Sequence, residues 1–218
     1  MVAIYCDGAD LATMAKYAQD QLIEGFTTNP SLMRKSGVTN YREFAKQVLG
    51  AVNGKFVSFE VLSDDWEEMM SQAHEIASWG ENVYVKIPIT NTKGESSIEL
   101  IDALSDLNLN ITAVMTYEQL DALKSVDRSH HIISVFCGRI ADTGLRPPNL
   151  TNDVFNARLL WASTRELFSI QEALVNGYDI ITLTPDLIAK LPMRGKDLKQ
   201  YSLETVQQFH EDGKGITF

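Results

Sequence analysis

Three residues of this 218-residue chain suited to covalent and proton-transfer chemistry stand in short apolar runs. Lys86 stands in VYVKIP, Glu60 in VSFEV, and Asp7 ends the opening run AIYCD. A lysine set among Val, Ile and Tyr loses solvation of its ammonium form. Its pKa is expected to fall, leaving some free amine near neutral pH. A free amine adds to a carbonyl carbon and forms a Schiff base, whose iminium withdraws electrons from a neighbouring C–C bond without a metal. Two carboxylates in different surroundings can divide the accompanying proton transfers. The plainer reading is a structural ion pair, for which Asp7 and Glu60 are both available. A lysine locked permanently into such a pair could not act as a nucleophile.

Eight strand-like runs are available to position these groups: 3–8, 25–29, 56–62, 83–90, 110–116, 131–139, 159–164 and 179–184. Most gaps between them carry helical periodicity. Residues 64–79 begin with acidic residues and put Trp66, Met69, Met70, Ala73, Ile76 and Ala77 on one stripe. Segments 99–107, 117–126 and 166–176 are similar, the last closed by Gly177. Eight strand–helix units predict an α/β fold, a compact (β/α)8 TIM barrel. A doubly wound open sheet is the competitor, but it usually has fewer strands. No linker or repeat interrupts the chain, so one domain is expected over 1–218. Pro147 and Pro148 bar a helix and leave room for a short one near 151–157. One or two helical turns are expected at 185–191 and a last helix at about 200–210. Val206 and Phe209 give that helix an apolar edge, which could cover the barrel or reach a neighbouring subunit.

A barrel strand is buried on both faces, so the parity of its polar residues is informative. Val83, Val85, Ile87 and Ile89 form a purely aliphatic set that should face the helices, which turns Lys86 and Tyr84 inward. Val57, Phe59 and Val61 likewise turn Ser58 and Glu60 inward. Ile111, Ala113 and Met115 oppose Asn110, Thr112 and Thr116; Ile133 and Val135 oppose Ser134 and Phe136. Asp7 goes with Tyr5, Thr27 with Asn29, and Ser163 with Trp161, with Arg165 just beyond. The expected interior holds Asp7, Asn29, Glu60, Lys86, Asn110, Thr112, Ser134 and Ser163. Each unpaired buried polar group costs a few kcal/mol, so such a concentration reads as a site rather than as packing.

Composition narrows the partners. The net charge of −10 opposes binding to nucleic acid or to anionic membrane. A small anionic substrate would need a local basic pocket. No apolar run approaches a membrane span, and the start lacks the basic n-region of a signal peptide, so a cytoplasmic, bacterial-type protein is expected. Cys6 and Cys137 lie in apolar runs and read as buried thiols rather than as a disulfide. No metal-ligand spacing exists: His130 and His131 are adjacent, and strand parity would split them. Nucleotide-binding glycine loops are absent, and no cofactor is expected.

Six segments together resemble the transaldolases: GFTTNPSLM at 25–33, VSFEV at 57–61, VYVKIPIT at 83–90, NITAVMT at 110–116, SVFCGRI at 134–140 and WASTR at 161–165. They are most similar to the short group that also contains fructose-6-phosphate aldolase, and the likeness runs from residue 4 to about 191. The resemblance implies a (β/α)8 fold and assigns roles. Lys86 stands at the Schiff-base lysine. Asp7 matches the aspartate that exchanges a proton with the C4 hydroxyl. Glu60 matches an acid/base working through a water, which Thr112 would hold. Asn29, Asn110 and Ser134 match residues bonding the dihydroxyacetone part, and Thr27 stands in the same TTNPS motif. Arg139, Ser163 and Arg165 match phosphate-binding positions.

The fructose-6-phosphate aldolases carry Gln in place of Glu60 and Tyr in place of Phe136, so this chain has the transaldolase pair. A phenol could protonate the enamine and release dihydroxyacetone, whereas Phe136 cannot. The expected activity is transfer of a dihydroxyacetone unit from a ketose phosphate, sedoheptulose 7-phosphate or fructose 6-phosphate, to an aldose phosphate. The alternatives are an aldolase releasing dihydroxyacetone and a non-catalytic sugar-phosphate-binding barrel. A homo-oligomer of five or ten subunits is implied by the resemblance alone. SVFC stands where SPF is more usual, and the stretch from 139 to 159 is shorter than in most of the family.

Overall fold

The structure is a computed structural model and describes residues 1–126, 128–151 and 155–217. Its elements in order are β1 (Ala3–Asp7), α1 (Leu11–Ala18), β2 (Ile23–Thr27), α2 (Pro30–Lys35), α3 (Tyr41–Ala51), β3 (Phe56–Glu60), α4 (Trp66–Ala77) and β4 (Val83–Pro88). There follow α5 (Ile98–Ala103), β5 (Leu109–Val114), α6 (Tyr117–Leu123), β6 (Ile132–Val135), α7 (Cys137–Asp142), β7 (Arg158–Trp161), α8 (Ser169–Val175) and β8 (Ile180–Leu183). The chain ends with α9 (Pro185–Ile188), a 3-10 turn at Leu191–Met193, and α10 (Leu198–Asp212). Among the described residues the eight strands pair in parallel in sequence order, and β8 closes on β1. This is the (β/α)8 TIM barrel that the alternation of runs predicts.

Two apolar regions hold it together. The outer one lies between strands and helices and takes the aliphatic parity of the strands: Val57, Phe59, Val83, Val85, Ile87, Ile111, Ile133 and Val135 are at most 2% exposed. Each such side chain contributes roughly 1.5–3 kcal/mol by leaving water. The inner region is small. Ala3, Tyr5, Tyr84, Ile132, Leu160, Ala162 and Ile180 fill the barrel interior, with Phe136 packed against them. The polar residues lie nearer the C-terminal ends of the strands, the end at which barrels of this kind carry their sites.

Strand alternation fails at two residues. Ala113 and Ser163 have φ of 63° and 62°, the left-handed region that non-glycine residues seldom adopt. Ala113 therefore turns to the barrel cavity instead of the helices, and the β5–β6 register shifts between Ile111 and Val114. In β7 the expected parity is corrected: Trp161 faces outward, edge-on to Tyr178 at 5.1 Å, while Leu160 and Ala162 face inward. Ser163 reaches the cavity because its own backbone reverses, not because it shares the face of Trp161.

The run expected as a strand over 131–139 stops at Val135, and α7 begins at Cys137. Gly138 allows this turn, since a Cβ there would lie 1.6 Å from the Ser163 carbonyl oxygen. The short helix expected near 151–157 falls partly on 152–154, outside the described residues, and 155–157 are not helical. The last helix, expected at about 200–210, runs from Leu198 to Asp212, and none of its residues is buried. Cys6 and Cys137 are free and buried, and burial pushes each thiol up to about 12. No described helix is long and apolar enough to cross a membrane.

Candidate active site

A cavity of about 330 Å³ opens among the C-terminal ends of the strands. It is lined by ten of the twelve residues singled out in the sequence: Asp7, Thr27, Asn29, Glu60, Lys86, Thr112, Ser134, Phe136, Arg139 and Ser163. Seven strands and α7 place them. β1 ends on Asp7, β2 on Thr27, and β3 on Glu60, which stands opposite Lys86 in the β3–β4 register. Asn29 caps α2, accepting the Leu32 amide at 3.0 Å.

The centre is a lysine held by two acceptors. Lys86 Nζ lies 2.8 Å from Glu60 Oε2 and donates to the Thr28 carbonyl oxygen at 2.8 Å. Lys86 is 5% exposed. The surroundings expected from its apolar sequence neighbours are thus corrected. Val85 and Ile87 point to the helices, and what meets Nζ comes from β3 and from the turn after β2. The backbone of Glu60 is fixed as well, since the Tyr41 hydroxyl donates to its carbonyl oxygen at 2.9 Å. Tyr41 in turn packs edge-on against Phe59 and Trp79.

Asp7 is tied differently. The Thr27 hydroxyl donates to Asp7 Oδ1 at 2.8 Å, and Thr27 Oγ1 lies 2.6 Å from Thr182 Oγ1. Burial pushes the Asp7 carboxyl above the usual aspartate range, and the charge of Glu60 adds to the rise. The Thr27 hydrogen bond and the charge of Lys86 oppose it. Beneath the cavity Ser134 donates to Asn110 Oδ1 at 2.6 Å, and Asn110 Nδ2 donates to Ser58 Oγ at 3.0 Å. Asn110 is fully buried in this chain of bonds, just below the lining residues. Thr112 Oγ1 is buried with no hydrogen-bond partner among the described residues, so its hydroxyl can bond to what the cavity binds.

The two arginines part company. Arg139 lines the cavity with its guanidinium 5.0 Å from the centre of the Phe136 ring. Arg165 does not line it. Its Nη2 and Nε lie 2.5 and 3.1 Å from Asp142 Oδ2, and both side chains are half exposed. Sequence reasoning passed over Thr182, Ser31 and Ala113, which also line the cavity. Thr182 was legible, because it shares the inward parity of Ile180. Ala113 was not, because its backbone reverses the alternation. Among the described residues no group of His, Cys, Asp and Glu is placed to hold a metal ion.

Chemically the cavity offers an amine, two carboxylates in unlike environments, several hydroxyls and one guanidinium. A "Probable transaldolase" from Roseobacter denitrificans is 30% identical over 208 residues, spanning 90% of this chain and 93% of its own. Another from Nitrosopumilus maritimus is 28% identical over 197 residues, 86% of each chain. Among solved structures, a Burkholderia cenocepacia protein provisionally described as a lyase/mutase superposes with a TM-score of 0.58. It covers 98% of this chain and 85% of its own at 13% identity, a likeness of fold alone. The profile of the Transaldolase/Fructose-6-phosphate aldolase family matches residues 4–217. A closed barrel, an inward lysine paired with Glu60 in a cavity that Asp7 also lines, and a match over nearly the whole length agree, and the chain belongs to that family.

Proposed function

We propose that this protein is a transaldolase, moving a dihydroxyacetone unit between sugar phosphates through a Schiff base on Lys86. The observation that carries the reading is the convergence of Lys86, Glu60 and Asp7 on one cavity. The ion pair does not block the nucleophile. One proton passed over 2.8 Å from Lys86 Nζ to Glu60 turns the pair into an amine and a carboxylic acid. The amine attacks the C2 ketone of the donor. Glu60 then returns the proton as the carbinolamine oxygen leaves as water, and an iminium forms. Asp7 takes the C4 hydroxyl proton while the C3–C4 bond breaks and its electrons move into the iminium, giving an enamine and a free aldose phosphate. The enamine adds to the aldehyde carbon of the acceptor, whose oxygen takes the proton back from Asp7, and hydrolysis frees Lys86.

Phe136 supports transfer over release, because its ring has no proton to give to the enamine carbon. Arg139 and Ser163, at the same cavity, are the groups suited to the phosphate end, and Asn29 and Ser134, which also line it, can bond to the hydroxyls of the dihydroxyacetone unit. A homo-oligomer belongs to the same reading. It draws support from α10, whose Leu203, Val206 and Phe209 stand at least half exposed.

Borohydride reduction in the presence of fructose 6-phosphate tests the mechanism. Mass spectrometry is expected to find a dihydroxyacetone adduct on the Lys86 peptide. Lys86→Ala is expected to lose the adduct and all turnover while keeping its circular dichroism spectrum. Absence of the adduct from the native protein, or full turnover by Lys86→Ala, overturns the reading. Free dihydroxyacetone formed without an acceptor, at the rate of transfer, would make the protein an aldolase instead.

A further inference from the structure

Asp7 must be tolerated in two protonation states, which is a demand on its partners. A fixed donor such as a backbone N–H serves only the carboxylate, and a fixed acceptor serves only the acid. Asp7 has neither. Its side-chain partner is the hydroxyl of Thr27, and Thr27 Oγ1 is in turn 2.6 Å from Thr182 Oγ1. Both threonines are 4% exposed and line the cavity. The three residues sit side by side on adjacent strands, with Asp7 opposite Thr27 in β1–β2 and Tyr5 opposite Thr182 in β1–β8. The Thr182 carbonyl oxygen is held by the Thr164 hydroxyl at 2.8 Å, which anchors the far end.

Counting hydrogens sets the direction of the chain. Each hydroxyl has one hydrogen. When Asp7 is ionised, Thr27 gives its hydrogen to Asp7, so the hydrogen between the two threonines must come from Thr182. When Asp7 is protonated, its O–H can donate to Thr27 Oγ1. The Thr27 hydrogen then turns to Thr182 Oγ1, and that of Thr182 turns toward the cavity. No bond is lost, no net proton leaves, and only hydroxyl rotations are needed.

We propose that Thr182 is a positioning residue for Asp7, and that Thr27 and Thr182 form a reversible hydroxyl pair that keeps Asp7 hydrogen-bonded in both states. The proposal rests on the reading of Asp7 as the proton acceptor of bond cleavage, and extends it to a residue that reaches Asp7 through another. The remaining charged or titratable groups around Asp7 are Glu60 from β3, Lys86 from β4, Arg139 from α7 and the buried Cys6 thiol beside it in β1. Of these only the Cys6 thiol could exchange donor for acceptor by rotation, and among the described residues it makes no hydrogen bond to Asp7.

The two threonines should then act on Asp7 in opposite senses. Thr27→Val removes both the donor to the carboxylate and the acceptor for the acid; the bond to the charged form is the stronger of the two, so the pH at which Asp7 titrates rises. Thr182→Val leaves that donor in place but strands the Thr27 hydrogen when Asp7 is protonated, which lowers it. Each change is expected to be about 0.5–1 pH unit, the worth of one hydrogen bond. Thr182→Ser should titrate like the native protein. The measurement is the carboxyl 13C resonance of Asp7 in uniformly labelled protein, assigned with Asp7→Asn and followed against pH without substrate. Shifts of the same sign in both valine variants, or no shift in Thr182→Val, overturn the proposal. Alanine variants at both positions replace any valine variant that does not fold. Because no substrate is present, this titration is independent of the borohydride experiment, so each reading can fail alone.

Discussion

Asp7 is the residue whose ionisation the barrel makes costly. Burial raises its carboxyl above the ordinary aspartate range, so between the unfolded value near 3.9 and the raised native value the folded protein binds more protons than the unfolded chain. The contribution of Asp7 to stability is therefore most favourable below the unfolded value and is lost as pH rises through the native one. Asp7→Asn keeps the acceptor that Thr27 needs and removes the charge. It is expected to raise the melting temperature at pH 7, to lose that advantage near pH 3, and to abolish turnover, as thermal denaturation and an aldol-transfer assay would record. The types of these residues were legible in the sequence because charged side chains are rare inside apolar runs. The partner of Lys86 was not. Asp7 and Glu60 were equally eligible until the β3–β4 register set Glu60 beside it.

At the scale of elements, the turn from β6 into α7 shapes the side of the cavity that Phe136 and Arg139 line. Gly138 donates its amide to the Ala162 carbonyl oxygen at 3.2 Å and lies against Ser163, which is itself in the left-handed region. Non-glycine residues in that region cost of order 1–2 kcal/mol and persist where surrounding contacts impose them. Gly138→Ala would place a methyl group 1.6 Å from the Ser163 carbonyl oxygen, an overlap only backbone movement can relieve. Destabilisation of about 2–4 kcal/mol is expected in urea unfolding, with a raised KM for phosphorylated sugars as Ser163 and Arg139 move apart. The GRI motif was visible in the sequence, but its reading as strand rather than helix followed from an apolar run that continues without a break past Val135. Only the close approach of β7 shows why the chain must turn there.

For the whole molecule, the eighth outer position of the barrel is thinly filled. After β8 the chain supplies one helical turn in α9 and the Leu191–Met193 turn before leaving for α10. A groove of about 620 Å³ remains between α1 and α8, lined mainly by apolar residues such as Val2, Ile4, Ile170, Leu174 and Leu191. It lies at the opposite end of β1 from Asp7 and has no part in the proposed chemistry. α10 stands off with Leu203, Val206 and Phe209 exposed. Groove and helix on one chain are both apolar, which is what the proposed assembly of identical subunits would use. The double change Val206→Glu and Phe209→Glu is expected to reduce the mass measured by light scattering to that of the 24.4 kDa monomer. A native mass already equal to that of the monomer would overturn the proposed assembly, and an oligomeric mass left unchanged by the substitutions would exclude α10 from its contact.

Local periodicity alone determined the barrel and most of the lining of its cavity. Period-two alternation in strands and 3.6-residue stripes in helices are properties of neighbouring residues, and they survive in any fold those residues adopt. Tertiary structure decided what depends on distances across the barrel. It paired Lys86 with Glu60, drew Arg165 away to Asp142, turned Trp161 outward and set Thr182 beside Thr27. It also reversed Ala113 and Ser163, whose left-handed backbones neither side chain favours. The order of residues along a chain carries direction and periodicity, but a hydrogen bond between strands 155 positions apart exists only once the sheet has closed.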